Sequence, residues 1–285
     1  MPRLSEVSYS LEETVAAIRD YFEFLTRVYL DESYVHLPPE GGWPEITPER
    51  LRGLGKTDDV VQLLRHMPYI QDDENTGSRI YAGPCMCEFY KWPVLIRNCE
   101  RSTNISKDFE DMRILTEPYG DWDKGLVPPH MVGLITIETY FERFLLDTKH
   151  GVIYWFDCPG KILDSPTREP ILDDLSDPDC SEEETPKEVP EWRTSPAWSV
   201  RDFFELLKDC FRELRTIPLS YSEVFDLNTF AYDSETLEAL SLVRDVFREH
   251  GWPDLDRYRK EDCLRAARRV MEEKLPNEGF DWQDG

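Results

Sequence analysis

Cys85 and Cys87, in the run Cys85-Met86-Cys87, together with Cys99, come nearest to a metal-ligating pattern in this chain. Structural zinc takes four ligands in a tetrahedron, usually from paired Cys-x-x-Cys or His spacings. One Cys-x-Cys falls short of that, and free cysteines otherwise act as small buried hydrophobes, so no metal is expected. Nucleophilic chemistry has equally few anchors. The histidines are His36, His66, His130, His150 and His250, and none sits in a recognisable motif. Asp147 and His150 are close, but within Asp147-Thr148-Lys149-His150-Gly151 they read as turn residues, because an Asp side chain bonds local backbone amides. No Gly-x-Ser-x-Gly elbow, P-loop or dinucleotide Gly-x-Gly-x-x-Gly occurs. Among 58 acidic residues some carboxylate pair can always be drawn, so no pair marks a glycosidase-type site. Trp43, Trp92, Trp122 and Trp155 could line a groove, although core packing is the commoner use of buried aromatics. No catalytic residue and no cofactor is assigned.

The charge is more informative. With 33 basic and 58 acidic residues the formal charge is −25. Nucleic acid is bound through Lys and Arg that neutralise phosphates, so neither nucleic acid nor an anionic membrane surface is an expected partner; a basic protein surface, or simple colloidal solubility, is the more natural reading of the charge. Charge also concentrates. Residues 157–191 carry twelve acids against three bases, with prolines at 159, 166, 170, 178, 186 and 190. Proline at that density prevents a helix or central strand, and an exposed loop is expected. Its acids Asp173, Asp174, Asp177, Asp179, Glu182, Glu183 and Glu184 are the candidate partner-binding residues. Ser181 precedes three glutamates, and Ser165, Thr185 and Ser195 precede prolines. Ser165, Ser181 and Thr185 are the candidate phosphorylation sites, where each phosphate would add about −1.5 to −2 charge.

Several elements must hold these features in place. Ser10 with Glu13 reads as a capping box, and Leu11, Val15, Ile18, Phe22 and Leu25 recur at helical steps up to about Tyr29. The following Pro- and Gly-rich stretch predicts no element. Thr57 is read as the cap of a second helix that Pro68 stops. Arg79–Ala82 and Val94–Arg97 read as short strands, followed by Met131–Thr139, Phe141–Leu146 and Val152–Phe156, with Gly151 in the last turn. Ser199 opens the best-marked helix. Trp198 and Phe203 occupy staple positions, and Val200, Phe203, Leu207, Cys210, Phe211 and Leu214 form one stripe. The remainder is expected to be helical. Leu237, Leu240, Val243 and Phe247 share a face, Gly251 closes that helix, and a last helix covers Leu255–Leu275. Its outer face offers a candidate basic surface of Arg257, Arg259, Lys260, Arg265, Arg268 and Arg269.

This order predicts an α+β protein with a mainly antiparallel sheet of about five strands flanked by helices. The expected organisation is a core domain over 1–216, containing the acidic loop at 157–191, and a helical extension over 217–285 packed on it. Seven cysteines without disulfide-like spacing, and no apolar run of membrane-spanning length, point to the cytoplasm or nucleus.

The strand Val132–Thr139, then Leu145-Leu146-Asp147-Thr148 and Gly151, and the late helix Ser199–Leu214 with its Phe203-Phe204 pair, together resemble the SUKH superfamily. That superfamily includes fungal cell-wall-synthesis regulators and bacterial toxin-immunity proteins. The likeness covers Ser10 to Arg215. Trp43 and Gly41-Gly42 only loosely replace the family's early Trp and Asn-Gly loop, and the acidic loop and the helices after Ile217 lie outside the pattern. The resemblance implies a non-enzymatic protein-binding scaffold. The expected function is therefore a protein-binding or regulatory module; the alternative is an enzyme whose small-molecule pocket has no linear signature.

Overall fold

The structure is a computed structural model that describes residues 3–71, 79–99, 102–118, 121, 124–136, 142–164, 167–171, 190–280 and 282. From the N-terminus, α1 (Leu11–Val28) leads to β1 (Val35–His36), α2 (Asp58–His66) and β2 (Tyr69–Ile70). Next come β3 (Glu88–Phe89), α3 (Trp92–Cys99), α4 (Ile105–Thr116), β4 (Met131–Gly133) and β5 (Ile135–Thr136). The hairpin strands are β6 (Arg143–Asp147) and β7 (Val152–Phe156). Then β8 (Ala197–Ser199) runs directly into α5 (Val200–Arg212). A second hairpin, β9 (Thr216–Pro218) with β10 (Val224–Asp226), precedes α6 (Ser234–Glu249) and α7 (Lys260–Lys274). The fold is α+β. Its main sheet has the order β4-β6-β7-β8, and every described strand pair is antiparallel.

Both faces of this sheet are covered, which explains why its strands read as unbroken apolar runs. Side chains alternate across a strand. Phe144, Leu146, Ile153 and Trp155 enter the main core, while Leu145, Val152 and Tyr154 join a smaller cluster with Ile171 and Trp192. On the main side Phe203 of α5 meets Phe144, Trp155 and Trp198 at ring-centroid separations of 4.8, 5.9 and 6.3 Å. Phe204 turns instead to Tyr21 of α1, 5.4 Å away. Burying such a side chain contributes roughly 1.5–3 kcal/mol, so α5 joins sheet and α1 into one body. The whole expected stripe of α5, Val200 to Leu214, is buried. Ser199 caps it by accepting from the Asp202 N–H at 3.2 Å.

Several expectations are corrected. Val94–Arg97 is helical, within α3, and its buried residues Trp92, Ile96 and Cys99 follow helical spacing. Pro93 suits a first helical turn, where its missing N–H costs nothing. Arg79–Ala82 forms no strand; Tyr81 and Ala82 donate instead to the carbonyls of Tyr221 and Cys87. The Pro- and Gly-rich stretch contains β1 and a helical turn at Pro48–Leu51 capped by Thr47. Thr57 occupies the cap position of α2 without a side-chain cap bond. The expected loop 157–191 begins with a short helix, Gly160–Asp164, which buries Ile162. Ile171 bridges to Ala197 beside β8. The C-terminal part is not all helix, since it opens with the β9–β10 hairpin. The expected boundary after residue 216 falls inside β9, and α6 and α7 contribute Leu240, Val243, Phe247, Leu264 and Met271 to the main core. Leu237 lies outside the buried face of α6, at 45% exposure.

Candidate functional site

A groove of about 480 Å³ opens between α1 and α5. The two helices lie side by side with their N-termini at one end, so Ser10 and Ser199 both line it, and Asp20 and Glu205 line it further along. Small side chains keep it open, with Thr14 and Ala17 on α1 facing Val200 and Phe204 on α5. Gly151 closes the mouth. Its φ of +75° belongs to the left-handed region, and a Cβ there would stand 2.5 Å from the Ser8 carbonyl oxygen, so only glycine fits.

The groove's charge is mostly negative. Glu13, Asp20 and Glu205 line it against the exposed Arg201. Beneath them Lys208, with a side chain only 4% exposed, pairs with Asp20 and with Glu205 at 2.9 Å. Arg212 reaches Glu205 at 3.0 Å and Asp209 at 2.7 Å. Burial works against the Glu205 charge, but hydrogen bonds from Lys208 and Arg212 hold its carboxyl below the ordinary value. The exposed rim carboxylates Glu13 and Asp20 stay accessible to a ligand.

At the β6–β7 turn, Asp147 is buried and its Oδ1 accepts from the Lys149 and His150 N–H groups at 2.7 and 3.2 Å. This is the expected turn chemistry. The structure adds His150 Nδ1 at 2.7 Å from Oδ2, and His130 Nε2 at 3.6 Å from Oδ1. Burial lowers the His130 pKa, with Asp147 opposing and Lys149, His150 and Lys56 adding to the fall. Nearby, Lys56 and Glu117 form a buried ion pair at 2.5 Å, each side chain 4% exposed. Burial lowers the Lys56 pKa and Glu117 opposes that. A histidine oriented by a buried carboxylate has the form of a general base. The groove's lining reaches Gly151 but not His150.

The candidate partner-binding residues Asp173, Asp174, Asp177, Asp179, Glu182, Glu183 and Glu184 lie outside the described residues, as do Ser165, Ser181 and Thr185. The last helix begins at Lys260 and not at the expected Leu255, so Arg257 and Arg259 precede α7, and the candidate basic surface is divided. Lys260 Nζ donates to the Thr26 and Leu30 carbonyls at the end of α1, and Arg268 Nε donates to the Leu219 carbonyl. Arg265 pairs with Asp262 at 2.7 Å, and Arg257, Arg259 and Arg269 are exposed. Arg259 Nη2 also donates to the Glu249 carbonyl at 3.3 Å, so three of the six cations bond backbone carbonyls of the fold. Cys85, Cys87 and Cys99 are all buried, and no group of three His, Cys, Asp or Glu side chains among the described residues could hold a metal. Trp43, Trp92 and Trp155 are core residues, and Trp122 lies outside the described residues. No described helix is long and apolar enough to cross a membrane.

Sequence reasoning missed the α1–α5 groove because its walls are ordinary helix residues; the signal was the run of short side chains Ser10, Thr14 and Ala17 on one side of α1. The chain matches no protein-family profile, no curated protein and no solved structure.

Proposed function

We propose that this protein is a non-catalytic binding module that holds a basic segment of a partner protein in the α1–α5 groove. The observation that carries the reading is the groove itself. It is a trough between two packed helices, lined by Thr14 and Ala17 opposite Val200 and Phe204, with Glu13, Asp20 and Glu205 along it; Lys208 pairs with the last two, and Glu13 is left against Arg201. Carboxylates at a rim set specificity and association rate more than raw affinity, so binding should be salt-sensitive. A SUKH-like scaffold agrees with this reading, since the residues of that resemblance include the β6–β7 turn and α5, which border the groove.

The test is selection of short peptides from a random displayed library against the full chain. A parallel selection uses a variant carrying Ala17→Trp and Glu13→Gln, checked for unchanged circular dichroism. Enrichment of Lys/Arg-rich peptides, lost in the variant and weakened by salt, is expected. Enrichment that the variant leaves untouched would sink the proposal. The alternative, an enzyme with a small-molecule pocket, is favoured by one observation, the contact between His150 and buried Asp147.

A further inference from the structure

Among the described residues, the six buried carboxylates are provided for with one exception, while the less buried Glu45 and Asp108 each also leave one oxygen without a partner. Asp121 accepts from the Glu191 and Trp192 N–H groups, both at 3.0 Å. Asp147 has its turn and His150. Asp226 accepts from the Cys85, Asn228 and Thr229 N–H groups, the Asn228 amide and the Thr216 hydroxyl. Glu117 has Lys56, and Glu88 has Arg79 and Lys91. Glu142 is 5% exposed, and among the described residues its carboxyl has no hydrogen-bond donor but its own backbone N–H. Arg143, next in sequence, turns Nη1 to the Glu142 carbonyl at 2.8 Å.

Glu142 lines a cleft of about 460 Å³ with Asp157, Asp164, Lys161, Asn228 and Thr229. The Thr229 hydroxyl oxygen, which lines the same cleft, is a buried polar atom without a partner among the described residues. Lys161 is spent on the Leu227 carbonyl at 2.6 Å, and Asn228 on Asp226 and Arg215. A buried polar group left unmade costs about 1–3 kcal/mol, more when charged, and such groups in a native protein call for a reason. Burial raises the Glu142 pKa, its own N–H opposes this, Asp157 and Asp226 add to the rise, and the neighbouring Arg143 guanidinium, which acts on Asp157 as well, lowers it without donating to the carboxyl.

We propose that this cleft is a binding site for an organic cation bearing several N–H donors, an alkylammonium or alkylguanidinium group, with Glu142 as its buried anchor. Asp157 supplies the second carboxylate at the rim, and the Thr229 hydroxyl oxygen accepts a further N–H. Charge-assisted bonds to two carboxylates are the strong class of hydrogen bond. The site is separate from the α1–α5 groove and stands or falls without it.

The test titrates the full chain with butylammonium and with butylguanidinium, following the Asn228 and Thr229 amides by NMR. Tetramethylammonium, which has charge but no N–H, is the control. Saturable shifts with either N–H cation, about tenfold or more weaker in Glu142→Gln and weakened in Asp157→Asn, are expected; which cation binds tighter separates the two ligand sources. Asn tolerates the positive φ of residue 157, so that variant keeps the backbone. Thr229→Val should weaken binding without altering the fold. No saturable shift, equal binding of tetramethylammonium, or equal affinity in Glu142→Gln overturns the proposal.

Discussion

Two carboxylates stand at opposite ends of one strand and meet opposite conditions. Asp147 ends β6 and is buried with turn amides on one oxygen and a histidine on the other. Glu142 stands just before β6, almost as buried, and faces an open cleft; among the described residues its carboxyl accepts only from its own N–H. The strand is the same, and the difference lies in what the neighbouring chain brings. A turn after Asp147 returns its own amides within three residues. Around Glu142 the chain brings the negative charges of Asp157 and Asp226 and the positive charge of Arg143, whose Nη1 goes to the Glu142 carbonyl and not to the carboxyl. A carboxylate enclosed by donors organises a fold. One enclosed without them has unused acceptor capacity, which is the property a ligand site requires.

The largest expected effect tests the enclosed class. Asp226→Ala strands donors from Cys85, Thr216, Asn228 and Thr229 at once, and should cost about 3–5 kcal/mol, as removal of one partner from a buried charged network does. Urea midpoints against the unaltered chain measure it. Asp147→Ala should follow at about 2–3 kcal/mol, because it frees the Lys149 and His150 amides. His150→Gln removes the imidazole contact while leaving the turn amides bonded, and should cost about 1 kcal/mol. If His150→Gln proved as damaging as Asp147→Ala, the histidine rather than the turn would be holding the carboxylate.

How much of this could be read in the sequence follows the range of the interactions. The Ser199 cap, the Trp198–Phe203 staple and the stripe of α5 are contacts within a few residues, and each appears in the structure as expected. So does the Asp147 turn with Gly151. The Val94–Arg97 run is apolar and short, and periodicity alone cannot tell a strand from a helix in such a run. The β9–β10 hairpin was hidden because its strands are three residues each and its pairing is fixed by the Asp226 network, reaching back to Cys85. The groove joins residues near 10 to residues near 200, and the Glu142 cleft joins 142 to 157 and 229. No local pattern announces either. The acidic loop was the conspicuous feature of the sequence, yet the pockets of the described molecule form between ordinary elements.

The smallest effect is the sharpest, because its sign differs from the others. Glu142 has its folded-state pKa raised above the ordinary 4.5, chiefly by burial. Such a group favours the native state while protonated, below its unfolded value, and that contribution is lost as pH rises through the folded value. At neutral pH the ionised carboxylate is therefore a burden on the fold, and Glu142→Gln should raise stability slightly where Asp226→Ala and Asp147→Ala lower it. The gain should shrink as pH falls through the raised folded value toward 4.5, and below 4.5 it should be gone, because the side chain is then neutral in both states. Urea midpoints of the two proteins at pH 7 and pH 4 read this directly. A Glu142→Gln protein less stable at pH 7 would mean that the carboxylate is bonded within the fold like its counterparts, and the contrast between the two ends of β6 would disappear. A small gain at pH 7, together with lost cation binding in the same variant, would show a residue kept at a cost to stability for the sake of what it holds.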